Sequence, residues 1–352
     1  MDADVFAYND RVVADLHRLY RTEADAFTSL LSGTGSLGME AGFANLLEPG
    51  DRALIVSNGV FGERMVEMAT RLGAEAIPVR FPASAPVDVD VVRHAALRTR
   101  PKLIAAVHGE TSTGVLNPIR GIGSVAAEIG ALYTVDAVTT VGMLPFEMAV
   151  WGVDYAYTGS QKCLSAPPGL APVAFSRRAM DAIRGRRTPV STWYNDALGM
   201  ENYWAVGEKG RKYHHTVPVQ LHWATGEAIR AALDEGLENR TRRVQGVGAA
   251  ALTALETVGF SAFIPEAYRL PTVLAVRLPK GLDDANVRRQ LREEHFISVT
   301  GGLGDTVGKI WRLGLMGENA RLEHYRRLMT ALGEILAKPH LKTVFNEVLA
   351  PA

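Results

Sequence analysis

The sequence predicts an α/β protein of two lobes, a large lobe with a mainly parallel central sheet and a smaller C-terminal α+β lobe. Three observations carry that expectation. Short apolar, strand-like runs alternate with helix-like stretches as far as Pro218, the pattern of a parallel sheet covered by helices. Beyond Pro218 the alternation gives way to two long helical stretches. At 352 residues the chain also exceeds the size, about 250–300 residues, at which a single core stops growing.

Taken in order, the strand-like runs fall at 53–57, 103–108, 132–136, 154–159 and 172–176, each an apolar run bounded by turn residues. Helix-like spacing of apolar residues marks 38–47, 63–72 and 124–130. The two long helices are expected at 219–236 and 240–258, with few turn signals between them. The remainder reads as strand 272–278, helix 282–295, strand 297–301, strand 309–316 and helix 321–336. The large lobe is placed at 1–236 and the small one at 237–352. Gly and Pro are dispersed as punctuation, and no repeat or low-complexity tract interrupts the pattern.

Composition narrows the function. Hydrophobic residues make up 47% and charged residues 22%, the balance of a globular domain. Lys+Arg and Asp+Glu both total 38, so no basic excess exists to displace counterions from nucleic acid or to meet anionic lipid. A small-molecule partner is expected. The single cysteine, Cys163, excludes an intramolecular disulfide and a Cys-x-x-Cys site, which suits a reducing compartment. The start, Met-Asp-Ala-Asp-Val-Phe, is acidic where a signal peptide is basic, and no apolar run approaches the ~20 residues of a membrane span. The chain is expected in the cytoplasm, with no membrane partner.

Four short stretches bear on chemistry. Ser32-Gly33-Thr34-Gly35-Ser36-Leu37-Gly38 follows a strand-like run and opens a helix, so its N–H groups and hydroxyls suit a phosphate at the positive helix end. A dinucleotide needs an acid at the end of the next strand, yet run 53–57 leads into Asn58-Gly59. A smaller phosphate survives that test, as does a glycine-rich turn kept for packing. Lys162 lies in Thr158-Gly-Ser-Gln-Lys162, between a strand end and the rigid Pro167-Pro168-Gly169. A lysine amine short of water there could condense with an aldehyde, while an ordinary surface loop is the alternative. Asp136 closes an apolar strand, where α/β sheets place ligands, and a buried carboxylate needs a positive partner, either a protonated pyridine nitrogen or an arginine. Arg312, flanked by Trp311 and Leu313, poses the converse demand for a carboxylate, from a ligand or from a structural pair.

Other chemistries find little support. His108-Gly-Glu110 is half of a zinc-deaminase pattern without the paired cysteines, and the side chains of His214-His215 diverge, so no metal is expected. No Gly-x-Ser-x-Gly elbow is present, and nothing marks Cys163 as a nucleophile.

Together the pieces resemble the class V aminotransferases of the fold-type I pyridoxal-phosphate enzymes, within them the alanine–glyoxylate and serine–pyruvate group. The resemblance covers almost the whole chain. It runs, in the family's order, through Ser32-Gly-Thr-Gly-Ser36, Ser57-Asn-Gly-Val-Phe-Gly62, His108-Gly-Glu-Thr-Ser-Thr-Gly114, Val135-Asp-Ala-Val138, Gly159-Ser-Gln-Lys162, Tyr213-His-His-Thr216 and Trp311-Arg-Leu-Gly-Leu-Met-Gly317. It implies pyridoxal 5′-phosphate as cofactor, Lys162 as its Schiff-base lysine and Asp136 as the carboxylate on the pyridine nitrogen. Phe61 would stack on the ring, where the family often has Trp, with Val138 on the opposite face and Thr111 near the ring hydroxyl. Thr34, Gly35, Ser36 and Gln161 would hold the phosphate. Tyr213 and Thr216 would reach the phosphate of a neighbouring subunit, implying a homodimer with shared active sites. Arg312 would clamp the carboxylates of an amino acid donor and a 2-oxo acid acceptor in turn, and Lys162 would serve as the general base.

Relatives in this family carry a further Gly-Pro-rich N-terminal segment that lines the pocket, whereas the match here starts at once. Adding such a segment upstream is expected to raise cofactor retention. Within the fold type the alternatives are ureidoglycine–glyoxylate or pyridoxamine–pyruvate transamination. A cysteine-desulfurase-like lyase would need a mobile cysteine, which Cys163 beside Lys162 is not. Outside enzymology, a catalytically silent pyridoxal-phosphate-binding protein would not need Lys162, Asp136 and Arg312 together.

Overall fold

The computed structural model describes residues 3–204 and 212–349. Its large sheet is built from β1 (Phe27–Ser32), β2 (Arg52–Ser57), β3 (Glu75–Arg80), β4 (Leu103–Val107), β7 (Leu132–Asp136), β8 (Tyr155–Tyr157) and β9 (Leu170–Phe175), in the order β1-β9-β8-β7-β4-β2-β3. The short strands β5 (Gly109–Glu110) and β6 (Val115–Leu116) form a separate hairpin just past β4. Strands β8, β7, β4, β2 and β3 are mutually parallel, and β9 alone runs against its neighbours. The central strands are buried end to end and read as continuous apolar runs, because helices cover both faces.

The order places the carboxyl ends of β2, β4, β7 and β8 along one edge. The chain leaves β2 for β3 on one side and returns for β4 on the other, so a crevice opens there, the usual ligand position in such sheets. Helix Gly35–Leu46 follows β1 and helix Val60–Arg71 follows β2, each starting at that edge.

Beyond helix Val219–Glu235, helix Leu237–Glu256 leads into a second, antiparallel sheet of β10 (Ser261–Ala262), β11 (Val273–Arg277), β12 (Thr300–Gly301) and β13 (Ile310–Gly314), in the order β10-β11-β13-β12. Helices Asp284–Glu293, Leu322–Ile335 and His340–Leu349 complete this part. Buried apolar side chains gather in two clusters. One runs from Val12 to Leu237 around the large sheet; the other centres on Val244, Trp311, Leu332 and Phe345 and includes Met143, Leu144 and Cys163 from the first part.

Three strands differ from the sequence reading. The strand expected at 297–301 shrinks to Thr300–Gly301, because it meets β13 at only two register positions and Phe296 before it takes a left-handed backbone. Run 154–159 keeps strand geometry only over Tyr155–Tyr157, after which the chain turns off to present Lys162. The edge strand β3 went unread, since its residues are mostly half-buried and Pro78 interrupts the pattern. No helix among the described residues is long and apolar enough to cross a membrane.

Candidate active site

The crevice at the strand ends holds a cavity of about 250 Å³ whose lining includes Thr34, Gly35, Ser36, Phe61, Thr111, Asp136, Val138, Gln161 and Lys162. Nine residues from five separate motifs of the sequence therefore meet in one space. A second cavity of about 550 Å³ shares Phe61, Thr111 and Lys162 with the first and adds Arg312.

Lys162 is set by a tight turn between β8 and β9. Its N–H donates to the Gly159 carbonyl at 3.0 Å, Ala166 N–H closes onto Ser160 O at 2.9 Å, and the Ser160 hydroxyl donates to Pro167 O at 2.7 Å. Buried Arg240, on helix Leu237–Glu256, donates to the carbonyls of Gly142 and Cys163 and so ties the lysine's turn to the second part of the fold. The thiol of Cys163 is fully buried, and burial pushes it up to about 12, which leaves it no role as a thiolate.

Asp136 ends β7. Its Oδ1 accepts the Val138 N–H at 2.9 Å and its Oδ2 accepts the Tyr157 hydroxyl at 2.8 Å. Burial raises the carboxyl to about 6 despite both hydrogen bonds, and no cation touches it among the described residues. A buried carboxylate in this state is completed by a positive ligand atom. Tyr157 reaches it because the two residues are register partners across β7 and β8.

The other end of the cavity is lined by a helix start. Helix Gly35–Leu46 begins at Thr34, whose side chain caps nothing. The N–H groups of Leu37 and Gly38 fold back onto Thr34 O, while those of Gly35 and Ser36 have no partner among the described residues. A Cβ on Gly35 would come within 3.1 Å of Val138 Cγ2, so glycine keeps the cradle open against the opposite wall.

Phe61 projects from the first turn of helix Val60–Arg71, and its N–H donates to Glu110 Oε2 at 3.1 Å. Glu110 also accepts from the N–H and hydroxyl of Ser112, and its burial raises its pKa. It acts as a helix cap delivered from a different loop. Thr111 is buried, and its carbonyl accepts from Arg312 Nη1 at 2.9 Å; Nε of the same guanidinium donates to Gly301 O at 2.9 Å. The structure gives Nη2 no protein partner among the described residues, and burial lowers the guanidinium's pKa only against the pull of Glu110. Arg312 is thus a half-buried cation held by carbonyls, without a carboxylate of its own.

Tyr213 and Thr216 do not line either of these cavities. They are exposed and hydrogen-bonded to each other at 2.8 Å. Next to them His214 stacks on Trp193, and His215 meets the Ser32 hydroxyl at 3.0 Å. His108, singled out in the sequence as a fragment of a metal pattern, packs between Phe146 and Trp151, and burial lowers it to about 4, so it is a neutral core residue. Sequence reasoning missed Arg64, Tyr157 and the holding role of Glu110. Arg64 carried a signal, since it lies three residues after Phe61 on the same helix face.

The residues present fit pyridoxal phosphate: an open cradle of N–H groups and hydroxyls, a buried carboxylate lacking a cation, an aromatic ring beside the cavity and a lysine in its wall. Comparison with known proteins agrees with this fit. Residues 13–316 match the aminotransferase class-V family model. Alanine–glyoxylate aminotransferase of Callithrix jacchus is 35% identical over 337 residues, covering 96% of this chain and 81% of the relative. The crystal structure of alanine–glyoxylate aminotransferase from Nostoc sp. is 41% identical, with a TM-score of 0.90 over 95% of this chain and 88% of that one. Ureidoglycine–glyoxylate aminotransferase from Bacillus subtilis is 31% identical, with a TM-score of 0.94 over 99% of this chain and 91% of that one.

Proposed function

The chain belongs to the class V aminotransferases, and from that premise we propose that it moves an amino group from a small L-amino acid, alanine or serine, to a 2-oxo acid, glyoxylate or pyruvate, in two half-reactions at Lys162. The observation that carries this reading is the convergence of Lys162, Asp136 and the Thr34–Ser36 cradle on one cavity, with the free face of Arg312 in the next.

Pyridoxal phosphate, when bound, supplies an aldehyde for amines and a ring that withdraws electrons from the adjacent carbon. Thr34, Ser36, Gln161 and the N–H groups of Gly35 and Ser36 would hold its phosphate. Phe61 and Val138 would pack against the ring, and Thr111 would lie near its hydroxyl. The Asp136 carboxylate keeps a proton on the ring nitrogen, which restores the positive partner its burial demands. Lys162 Nζ would take the proton from the donor's Cα and, in the second half-reaction, place a proton on the acceptor's Cα. Arg312 binds the carboxylate of donor and acceptor in turn, and sharing one clamp fits a ping-pong order. Tyr213 and Thr216 reach across a homodimer to the phosphate of the other site. The exposed rings of Trp193 (66%) and Tyr213 (67%) support such an interface. A cytoplasmic setting is the reading that the single, buried cysteine supports.

A ureido-bearing donor is the second reading. It is favoured by the likeness to the ureidoglycine enzyme and by the roughly 550 Å³ beside Arg312, more than a methyl side chain fills. Product analysis separates the two. With L-alanine and glyoxylate the reconstituted protein is expected to yield pyruvate and glycine, and Arg312→Ala is expected to lower turnover about a hundredfold by removing a charge-assisted clamp. Absence of both products, with ureidoglycine turned over instead, would move the donor assignment; turnover unchanged in Arg312→Ala would remove the clamp.

A further inference from the structure

Arg64 lines the cavity beside the cradle, yet nothing above gives it a task. It is half-buried on helix Val60–Arg71, and its Nη1 donates to the Ser36 hydroxyl at 3.0 Å. The guanidinium lies over the Phe61 ring, 4.8 Å from its centroid, which limits its freedom. No carboxylate pairs with it among the described residues. The adjacent Glu63 is taken up by Arg80, through two hydrogen bonds, and by Ser57.

Charge balance shows what such a cation is for. A phosphate monoester carries between one and two negative charges near neutral pH. The cradle residues Thr34, Gly35, Ser36 and Gln161 are all neutral, and the helix end contributes about half a positive charge. Among the described residues that line the cavity only Arg64 and Lys162 are basic, and Lys162 is committed to the aldehyde. Without Arg64, most of the phosphate charge would stand uncompensated in a partly desolvated site.

Resting on the reading above, we propose that Arg64 is the cationic ligand of the cofactor's phosphate and selects the phosphorylated cofactor over the free vitamin. The pyridine compound is then a resident cofactor, and this chain is not one that takes free pyridoxamine as its amino donor. Ser36 orients the guanidinium from one side and Phe61 supports its face, so the ring contact and the phosphate contact are built from one helix turn. Lysine in this position would keep the charge and lose the planar stacking and the fork of donors.

The test is binding, read without turnover. The 352-residue chain, freed of cofactor, is titrated with pyridoxal phosphate and separately with pyridoxal, following the quenching of its tryptophan fluorescence. Arg64→Gln is expected to weaken pyridoxal phosphate roughly ten- to a hundredfold, the usual effect of losing a charge-assisted hydrogen bond, and to leave pyridoxal within about twofold. Arg64→Lys is expected to fall between, and it keeps the test open should the glutamine variant melt early. An unchanged ratio of the two affinities in both variants would overturn the proposal, and so would an equal loss for both ligands, which would mark Arg64 as a support for Phe61. If the wild-type chain binds neither ligand, the cofactor reading itself fails, an outcome distinct from the loss of Arg64 alone.

Discussion

Among the described residues buried Asp136 meets two neutral donors and no cation, so burial works against its ionised form. Its carboxyl is raised to about 6, from an ordinary value of about 4, chiefly by burial. The sign follows from linkage. Below about pH 4 folded and unfolded chains are both protonated and the residue has no effect. Stability then falls as the pH rises towards 6, and above that the full penalty, on the order of 2–3 kcal/mol, is present. Asp136→Asn removes it. The cofactor-free variant is expected to melt higher than wild type at pH 7 and level with it at pH 4, while retaining pyridoxal phosphate less well; a lower melting point at pH 7 would contradict this. Asp136 was legible in the sequence because it closes a strand-like run, and Lys162 because it lies between a strand end and the rigid Pro167-Pro168-Gly169. Tyr157 was not, since only the β7–β8 register brings its hydroxyl to Asp136. The contacts of Glu110 with Phe61 and of Arg64 with Ser36 join positions distant in sequence, which local pattern does not connect.

At the scale of elements, helix Val60–Arg71 shows how the site depends on a contact between loops. Its N-cap position is Gly59, which has no side chain to offer, and Glu110 supplies the missing acceptor from beyond β4. That approach is so close that a Cβ on Gly59 would lie 2.4 Å from Glu110 Cδ and 2.5 Å from the Ser112 hydroxyl. Gly59→Ala is therefore expected to displace Glu110, uncap the helix and shift Phe61. The expected loss is about 1–3 kcal/mol of stability, measured by denaturant unfolding, together with weaker binding of pyridoxal as well as of its phosphate. Full stability in this variant would mean that Glu110 is no cap. The helix start itself was misjudged from sequence: run 63–72 was expected, but the structure begins at Val60, because the capping acceptor comes from elsewhere. Helix Gly35–Leu46 likewise starts three residues before the expected 38, since Gly35 and Ser36 carry no apolar signal. The long apolar elements of the second part were read nearly to their ends, as with the expected helix 321–336 and the observed Leu322–Ile335.

In the whole molecule, the residues proposed to act on one substrate belong to two bodies of packing. Lys162 and Asp136 stand on the large sheet, and Arg312 stands on β13 of the small one, joined to Thr111 across the divide. Arg240 makes a second tie, reaching back to Cys163 beside the lysine. We propose that the lobes divide at 236/237, between the two long helices. The two-lobe α/β plan was legible because alternation and its end after Pro218 are chain-wide signals. The reversal of β9 was not, because an apolar run has no direction until its neighbours are known. The most direct measurement of the central claim is the visible absorbance of the chain reconstituted with pyridoxal phosphate, given L-alanine alone and then glyoxylate alone. The account predicts a band that is lost with alanine as one equivalent of pyruvate appears and restored by glyoxylate, and that never forms in Lys162→Ala. A band that alanine leaves unchanged, or one that persists in Lys162→Ala, would contradict it.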